Sequence, residues 1–422
     1  MSDSGIVFFC IQISLMLLVA IICKRIADKL NLPLVLGELV AGIIIGPTIL
    51  GALSPHLYNQ IFLSQSVSST GREIVVKLGQ LFFLFIIGLE LNLHFLKQQK
   101  RNIACISISG ILVPFALGTG IVFFLPGIWN LQAQNKTVFA FFIGIALSIS
   151  ALPVIARILI DLELLKTRLG TVILSAATIN DLIGWIMFSI ILNSYHTERS
   201  DFSSTLIIVA IVGVFVVGIG IFYAKQNSAS KIRTAFVKQR NSYEILIILI
   251  LLVSVFMETI GLHMALGAFI VGVAFSSKAN SSSQVIETIK KFTNGFFAPV
   301  YFVSIGLKAD FITNFDLKLV LIVTIVACIG KICGAFIGAR IGKIPLKESL
   351  IIGFAMNARG AMEMILVTIA YEYKIIDQRV FVAMIIMAIV TTLISGPAIQ
   401  VLLPKKIKVD RLESKLKRVS NI

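Results

Sequence analysis

The sequence predicts an all-α polytopic membrane protein with about thirteen transmembrane helices. The first observation behind this prediction is composition, because the 422 residues are 57% hydrophobic and only 14% charged. The second is length: apolar stretches of roughly 17–25 residues, enough to cross a bilayer as a helix, recur along the chain. The third is the placement of Lys and Arg, which are concentrated in alternate loops between these stretches.

The predicted spans follow one another with short connections and leave no segment for a soluble domain. Their approximate bounds are 5–28, 33–53, 72–90, 102–125, 136–160, 168–193, 204–224, 243–260, 262–277, 291–307, 317–341, 347–372 and 379–404. The longest loop, 225–242, and the tail are too short and too basic to fold alone. We therefore expect residues 1–404 to form one transmembrane domain and 405–422 a short basic cytoplasmic tail, without a regulatory domain.

A formal net charge of +16 raises the question of nucleic-acid binding, and the placement of the basic residues answers it. With the N-terminus outside the cell, 26 of the 37 Lys and Arg fall in cytoplasmic loops and the tail, and 7 fall in external loops. This positive-inside bias puts the C-terminus in the cytoplasm and explains the charge without nucleic acid. The other basic residues lie within spans: Lys77, Arg157, Lys331 and Arg359.

The two halves of the chain repeat each other. The second span reads L-G-E-L-V-A-G from Leu36 and the ninth reads L-G-A-F-I-V-G from Leu266, while the third ends F-I-I-G-L-E-L and the tenth V-S-I-G-L-K-A. These matches place a linker helix, approximately 204–224, between two units of about six helices each. The second unit then enters the membrane from the opposite side, which is the inverted-topology repeat typical of many secondary transporters.

The fifth helix of each unit is predicted to be interrupted in mid-membrane. In the first unit Pro153 lies inside the span, where proline removes a backbone donor and clashes with the preceding turn. Ser148 and Ser150 can satisfy the freed backbone groups or offer oxygens to a cation. In the second unit the segment M-N-A-R-G-A-M-E, residues 356–363, makes poor membrane helix unless the chain is broken or lined by protein. Two such breaks present opposed half-helix dipoles that charged side chains must balance.

Asp181 interrupts an apolar run that extends from Val172 to Leu192. An ionised side chain at that depth costs roughly 2.5–3.5 kcal/mol on insertion scales. We interpret Asp181 as a group that binds either a proton or a monovalent cation, because competition for one carboxylate couples the two fluxes. Lys331 and Arg359 are the predicted countercharges. The alternative is a stabilising Asp181–Lys331 ion pair without a transport role, although buried pairs stabilise little compared with apolar packing.

An enzyme and a channel are the alternatives to a transporter. An intramembrane protease would need two membrane aspartates, a Ser–His pair or a zinc motif. None of the histidines lies beside a core serine in the sequence: they are His56, His94, His196 and His263. A channel would show a filter loop or rings of like charge, which the sequence does not suggest. Uniport or channel-like K⁺ efflux through this fold stays open.

Several segments carry a family resemblance. They are S-I-S-A-L-P-V-I-A-R followed by S-A-A-T-I-N-D-L-I-G-W, Q-L-F-F-L-F-I-I-G-L-E-L, G-L-H-M-A-L-G-A-F-I-V-G, P-V-Y-F-V-S-I-G-L-K-A-D and M-N-A-R-G-A-M-E-M-I. They resemble motifs of the monovalent cation/proton antiporter superfamily, in the branch of plant cation/H⁺ exchangers and bacterial relatives of potassium-efflux antiporters. The resemblance implies thirteen helices, a homodimer and elevator-like alternating access. The implied scaffold comprises approximately 1–90 and 243–307, and the mobile core approximately 102–193 and 317–404.

By the same resemblance, Asp181 matches the aspartate that binds the ion and the proton, and Asn180 occupies the position before it. Ser148 and Ser150 match polar positions of the first interrupted helix. We add Thr178 to this ion-binding set.

The resemblance also assigns the charges of the second unit. Lys331 matches the core lysine of electrogenic members and Arg359 the arginine of the second interrupted helix, and we group Asn357 and Glu363 with them as coupling residues. Electrogenic members often have two adjacent acids where this chain has Asn180-Asp181. We therefore expect Lys331 to find another acid, which is Asp181, Glu363 or Glu258, and one-for-one exchange is favoured.

The sequence thus predicts a Na⁺ or K⁺/H⁺ antiporter that spans the cell membrane as a homodimer. The ions are its substrates and the lipid bilayer its surroundings. We expect no cofactor, no enzymatic activity and no metal other than the monovalent cation at Asp181.

Overall fold

The computed structural model describes residues 3–30, 32–63, 66–90, 100–129, 136–165, 167–196, 242–260, 262–276 and 284–403. These residues are all-helical, as predicted. The helices are α1 (Asp3–Lys29), α2 (Leu34–Ile45), α3 (Ser66–Glu90), α4 (Lys100–Phe124), α5 (Lys136–Ser148), α6 (Leu152–Asp161), α7 (Arg168–His196), α8 (Ser242–Thr259), α9 (Met264–Phe275), α10 (Gln284–Phe292), α11 (Ala298–Lys308), α12 (Leu317–Ile341), α13 (Leu346–Met356), α14 (Ala361–Glu372) and α15 (Gln378–Leu402). Shorter helical turns cover Pro47–Gly51, Pro55–Tyr58, Asn59–Leu63, Pro126–Ile128 and Thr293–Phe297.

The chain is a multi-pass membrane protein. Among the described residues, 7 segments are long and apolar enough to cross a bilayer, and up to 8 if the bent pair α13–α14 forms one span. These eight segments correspond to the predicted spans that begin at 5, 33, 102, 136, 168, 317, 347 and 379. The predicted linker helix at 204–224 and the tail at 405–422 lie outside the described residues. The total of about thirteen therefore stays a prediction.

One compact unit lies within residues 1–92 and 185–315. In it α2 packs against α1 and α11, and α9 packs against α3 and α8. A Cβ added at Gly42 of α2 would lie 2.8 Å from Gly306 Cα of α11. A Cβ added at Gly272 of α9 would lie 2.9 Å from Gly88 Cα of α3. Positions that correspond in the two sequence repeats therefore make corresponding backbone contacts, which only glycine allows at this distance.

The second compact unit lies within residues 93–184 and 316–422, so the boundary between the units falls inside α7. Its centre is the pair α4 and α12, which pack along their lengths, and α12 also contacts α13 and α15. Glycines of α12 make this approach possible: a Cβ at Gly334 would lie 2.7 Å from Ser109 O, and one at Gly338 would lie 2.4 Å from Cys105 O. The predicted roles of scaffold and mobile core are not decided by this division and stay predictions.

Two interrupted helices face each other in the second unit. Helix α5 ends at Ser148 and α6 begins at Leu152, so Pro153 lies in the first turn of α6, where its missing N–H costs nothing. The break thus immediately precedes the predicted proline. Between α13 and α14 the chain bends by 42°. Ala151 N donates to Ala358 O at 3.0 Å, which joins the two breaks.

Polar side chains fix the start of α9 in the first unit. Glu258 Oε2 accepts a hydrogen bond from Met264 N at 2.7 Å, and His263 Nδ1 accepts one from Ala265 N at 3.1 Å. Both residues satisfy backbone N–H groups that a helix start leaves without helical partners. Glu258, one of the acids suggested as a partner of Lys331, therefore caps a helix of the first unit.

Candidate functional site

The C-terminus of α5 is the structural centre of the candidate site. A helix leaves its last four carbonyls without helical partners. The guanidinium of Arg359, which is fully buried, donates from Nη1 to Ala146 O at 2.8 Å and from Nη2 to Leu147 O at 2.7 Å. Nη1 also lies 3.5 Å from Ile149 O. The planar fork of an arginine suits this task because it presents several donors at once.

Lys331 takes up another of these carbonyls. Its Nζ donates to Ser148 O, and to Gly110 O of α4 at 3.0 Å. The side-chain amide of Asn180 has hydrogen-bond partners for both of its polar atoms in one orientation. In this orientation its nitrogen donates to backbone carbonyls of α4 and α7, and its oxygen accepts from Lys331 Nζ at 2.9 Å. Three acceptors match the three N–H donors of an ammonium group. All three of these acceptors are neutral groups.

The expectation that Lys331 pairs with an acid is wrong for this structure. Within the described residues of the second unit, Lys331 makes no ion pair with Asp181 or Glu363, and Glu363 pairs with Arg359 instead. The expectation failed because it counted only formal charges. Backbone carbonyls at an interrupted helix and the oxygen of Asn180 take the place of the missing acid, so an Asp181–Lys331 ion pair is not what keeps these residues in the membrane.

Asp181 differs from the other charged groups. It is fully buried near the middle of α7, and neither of its carboxylate oxygens has a hydrogen-bond partner among the residues that the structure describes. The N–H of Leu152 at the start of α6 and the ammonium of Lys331 act on it electrostatically. A buried charge without direct partners is costly, and binding a proton or a cation removes that cost.

The predicted oxygen ligands near Asp181 are engaged with the backbone. Ser150 Oγ donates to Met356 O at 2.9 Å, across the two breaks. Ser148 Oγ and Thr178 Oγ1 donate to carbonyls one turn earlier in their own helices, at 2.7 and 2.8 Å. A hydroxyl that donates keeps lone pairs on its oxygen. All three oxygens can therefore still accept a hydrogen bond or contact a cation.

The second break holds the other predicted polar residues. Glu363 Oε1 lies 3.1 Å from Arg359 Nη1, and both side chains are buried. Glu363 Oε2 has no partner in the described part of the chain. Asn357 Nδ2 lies 3.6 Å from Cys328 Sγ. The structure thus brings Arg359 and Glu363 to the end of α5, whereas Asn357 contacts α12.

Two residues of this arrangement were not predicted. Thr392 of α15 donates from Oγ1 to Arg359 O at 2.6 Å and accepts from Arg359 N at 3.2 Å, which satisfies both backbone groups of Arg359 in the break. Nothing in the sequence distinguishes this threonine from others in apolar helices. The carbonyl of Gly110 accepts a hydrogen bond from Lys331. The sequence feature that could have indicated this role is Pro114, four residues later in the same helix.

The chain is similar to known proteins over most of its length. Residues 14–405 match the family described as sodium/hydrogen exchanger, transmembrane. The chain is 33% identical over 92% of its length to cation/H⁺ antiporter 17 of Arabidopsis thaliana, and it spans 47% of that protein. It therefore spans about half the length of the plant relatives that it matches. It is 31% identical over 88% of its length to the Na⁺/H⁺ antiporter NhaS4 of Synechocystis, of which it covers 91%.

A solved structure shows the same fold. The sodium proton antiporter MjNhaP1 from Methanocaldococcus jannaschii superposes with a TM-score of 0.64 over 93% of this chain and 96% of that chain, at 17% sequence identity. The relatives are named as antiporters, which are transporters rather than enzymes. With the family match extending over nearly the whole described chain, the protein belongs to the transmembrane sodium/hydrogen exchanger family.

Proposed function

We propose that this protein exchanges Na⁺ or K⁺ for H⁺ across a membrane, with Asp181 binding the proton and the cation in alternation. The observation that carries the proposal is the carboxylate of Asp181, which is fully buried in a membrane span and has no hydrogen-bond partner among the described residues. The other buried charges around the breaks make direct contacts. Asp181 is therefore the group whose charge can change without dismantling the site.

Coupling follows from competition for this carboxylate. A protonated Asp181 is neutral and does not attract a cation, whereas the ionised form does. The oxygens of Ser148, Ser150 and Thr178 keep lone pairs, and we propose that they complete the cation site together with Asp181 and the amide of Asn180. Oxygen ligands of this kind suit hard monovalent cations.

The contacts of Lys331 favour one-for-one exchange. Because its Nζ has three neutral acceptors, we propose that Lys331 keeps its proton throughout the transport cycle. Glu363 is engaged by Arg359. With Asp181 as the only titrating group of the cycle, one proton is exchanged for one cation and no net charge moves.

The architecture supports alternating access. We infer that the unit around the interrupted helices is the mobile core and that the unit with the glycine contacts is the scaffold. The matched glycine contacts of α2 with α11 and of α9 with α3 support two inverted repeats and about thirteen helices in the complete domain. We extend the proposal to a homodimer in the cell membrane with its N-terminus outside, as the sequence motifs and the positive-inside bias imply.

Reconstituted transport tests this proposal. The protein is placed in liposomes with a pH-sensitive dye, and Na⁺, K⁺ or Li⁺ is added outside. Wild type is expected to alkalinise the lumen, because cation entry is exchanged for proton exit, and Asp181→Asn to show only the leak of empty liposomes. The matched control is Glu287→Gln, which removes an exposed carboxylate paired with Lys291 and should transport normally. Exchange by Asp181→Asn at the wild-type rate would overturn the proposal, and cation movement without proton movement would identify a uniporter instead.

A further inference from the structure

Pro114 lies inside α4, a long apolar helix, and is buried. We propose that Pro114 is a positioning residue for Lys331, because it leaves the carbonyl of Gly110 without a helical hydrogen bond and so available to the ammonium group. The contact itself is independent of what the protein transports. Its consequence for transport rests on the proposed function.

A proline inside a helix frees one particular carbonyl. Each N–H of a helix donates to the carbonyl four residues earlier, and the N–H that would reach Gly110 O belongs to position 114. Proline has no N–H, and its ring pushes against that same carbonyl. Gly110 O therefore lacks its helical donor. The structure shows what replaces the donor, since Lys331 Nζ lies 3.0 Å from Gly110 O.

The surrounding glycines fit this arrangement. A Cβ added at Gly330 of α12 would lie 3.0 Å from Pro114 Cα, so α12 can pack directly over the proline. Gly330 precedes Lys331, and this close packing brings the lysine to the part of α4 that contains Pro114. A Cβ at Gly110 itself would lie 3.4 Å from the side-chain amide of Asn180, so the residue that provides the third acceptor of Lys331 also lies next to Gly110.

The freed carbonyl completes a set of neutral acceptors. Lys331 uses Gly110 O from the proline-containing helix α4, Ser148 O from the interrupted helix α5 and the oxygen of Asn180 from α7. Lys331 thus binds two backbone carbonyls that lack a helical donor for different reasons, one at the end of α5 and one at the proline of α4. Together they hold its charge near Asp181 without an ion pair, so that the carboxylate stays open to a proton or a cation.

Pro114→Ala tests the inference, because alanine restores an N–H that competes with Lys331 for Gly110 O. The freed ammonium then moves toward Asp181 and competes with the transported cation. In liposomes, the apparent KM for the cation is expected to rise about tenfold, the effect of one weakened charged hydrogen bond. The maximal rate is expected to stay within about a factor of two, because the chemistry of Asp181 is unchanged.

The control is Pro397→Ala in α15. Pro397 is also inside a helix, and the carbonyl that it frees belongs to Leu393, which is 42% exposed and has no role in the site. This variant should have the wild-type KM. A wild-type KM for Pro114→Ala, or an equal rise for both proline variants, would overturn the inference.

A thermal-unfolding cycle in detergent tests the contact without relying on transport. It compares Pro114→Ala, Lys331→Met and the double variant, with Lys331→Gln in place of Met if the Met variant does not fold. Replacing the proline should raise the melting temperature more in the absence of Lys331 than in its presence, because the restored N–H then displaces no ammonium group from Gly110 O. Additive shifts would refute the contact. A wild type that does not exchange ions would refute the proposed function and leave this cycle as the deciding measurement.

Discussion

At the scale of single residues, the ionisable groups of the site differ in how many direct contacts each of them makes. Arg359 contacts three carbonyls and one carboxylate, and Lys331 has three neutral acceptors. Asp181 has no direct partner among the described residues. The membrane interior makes every uncompensated charge costly. In the proposed mechanism, this arrangement leaves the carboxylate of Asp181 to respond to protons and to the transported ion.

The ion pair between Arg359 and Glu363 can be measured as a coupling. Arg359→Met leaves a buried carboxylate and several carbonyls without a donor, and we expect it to lower the free energy of unfolding by about 3–5 kcal/mol. Glu363→Gln in the same chain should recover part of this loss, because the amide carries no charge. Thermal unfolding of both single variants and the double variant gives the coupling. Purely additive losses would show that the two side chains do not stabilise each other.

At the scale of elements, the two interrupted helices could be predicted from the sequence, but the hydrogen bonds that stabilise their breaks could not. Pro153 and the segment 356–363 indicated both breaks, because proline and charged residues are unfavourable inside a membrane helix. The predicted acid partner of Lys331 was wrong, since side-chain charge patterns do not reveal which backbone carbonyls an interrupted or bent helix exposes. Thr392 had no signal, because its role depends on Arg359, which lies in the break between α13 and α14.

Thr392 hydrogen-bonds the backbone of the break between α13 and α14, and we expect it to stabilise the protein. Thr392→Val keeps the shape but removes the hydroxyl that serves both backbone groups of Arg359. We expect a loss of about 1–3 kcal/mol in the free energy of unfolding, the cost of leaving buried polar groups without partners. Thr392→Ser should restore most of it.

The neighbouring threonine provides the control for this measurement. Thr391 Oγ1 donates to Ala388 O within its own helix, so Thr391→Val removes a hydroxyl that serves no other element. Its effect on thermal unfolding should be clearly smaller than that of Thr392→Val. Equal losses of stability for the two variants would mean that the hydrogen bonds between Thr392 and Arg359 do not contribute more than a hydrogen bond within one helix.

At the scale of the whole molecule, the sequence anticipated an all-helical membrane protein with breaks in the fifth helix of each half. Length, apolar composition and basic loops determine this because the bilayer allows few alternatives. The residues that gather around the end of α5 come from α4, α7, α12, the segment around the break between α13 and α14, and α15. Their mutual distances depend on helix packing, which the sequence motifs suggested only through resemblance.

One-for-one exchange predicts electroneutral transport. In liposomes with K⁺ and valinomycin, clamping the membrane potential at different values should leave the initial rate of Na⁺-driven proton movement unchanged, because no net charge crosses the membrane in a cycle. The control is the same measurement at zero potential with a protonophore, which must abolish the pH signal. A rate that rises or falls systematically with the potential would show that a second titrating group, such as Lys331 or Glu363, takes part.

The competition between proton and cation for Asp181 can be measured most directly as the dependence of the cation KM on pH. If one carboxylate binds either ion, mass action predicts that the apparent KM rises about tenfold for each pH unit at the acidic end and becomes constant at the alkaline end. The maximal rate, measured with saturating cation, should change much less than the KM. A KM that does not change with pH, in a protein that exchanges cations for protons, would contradict a shared site at Asp181.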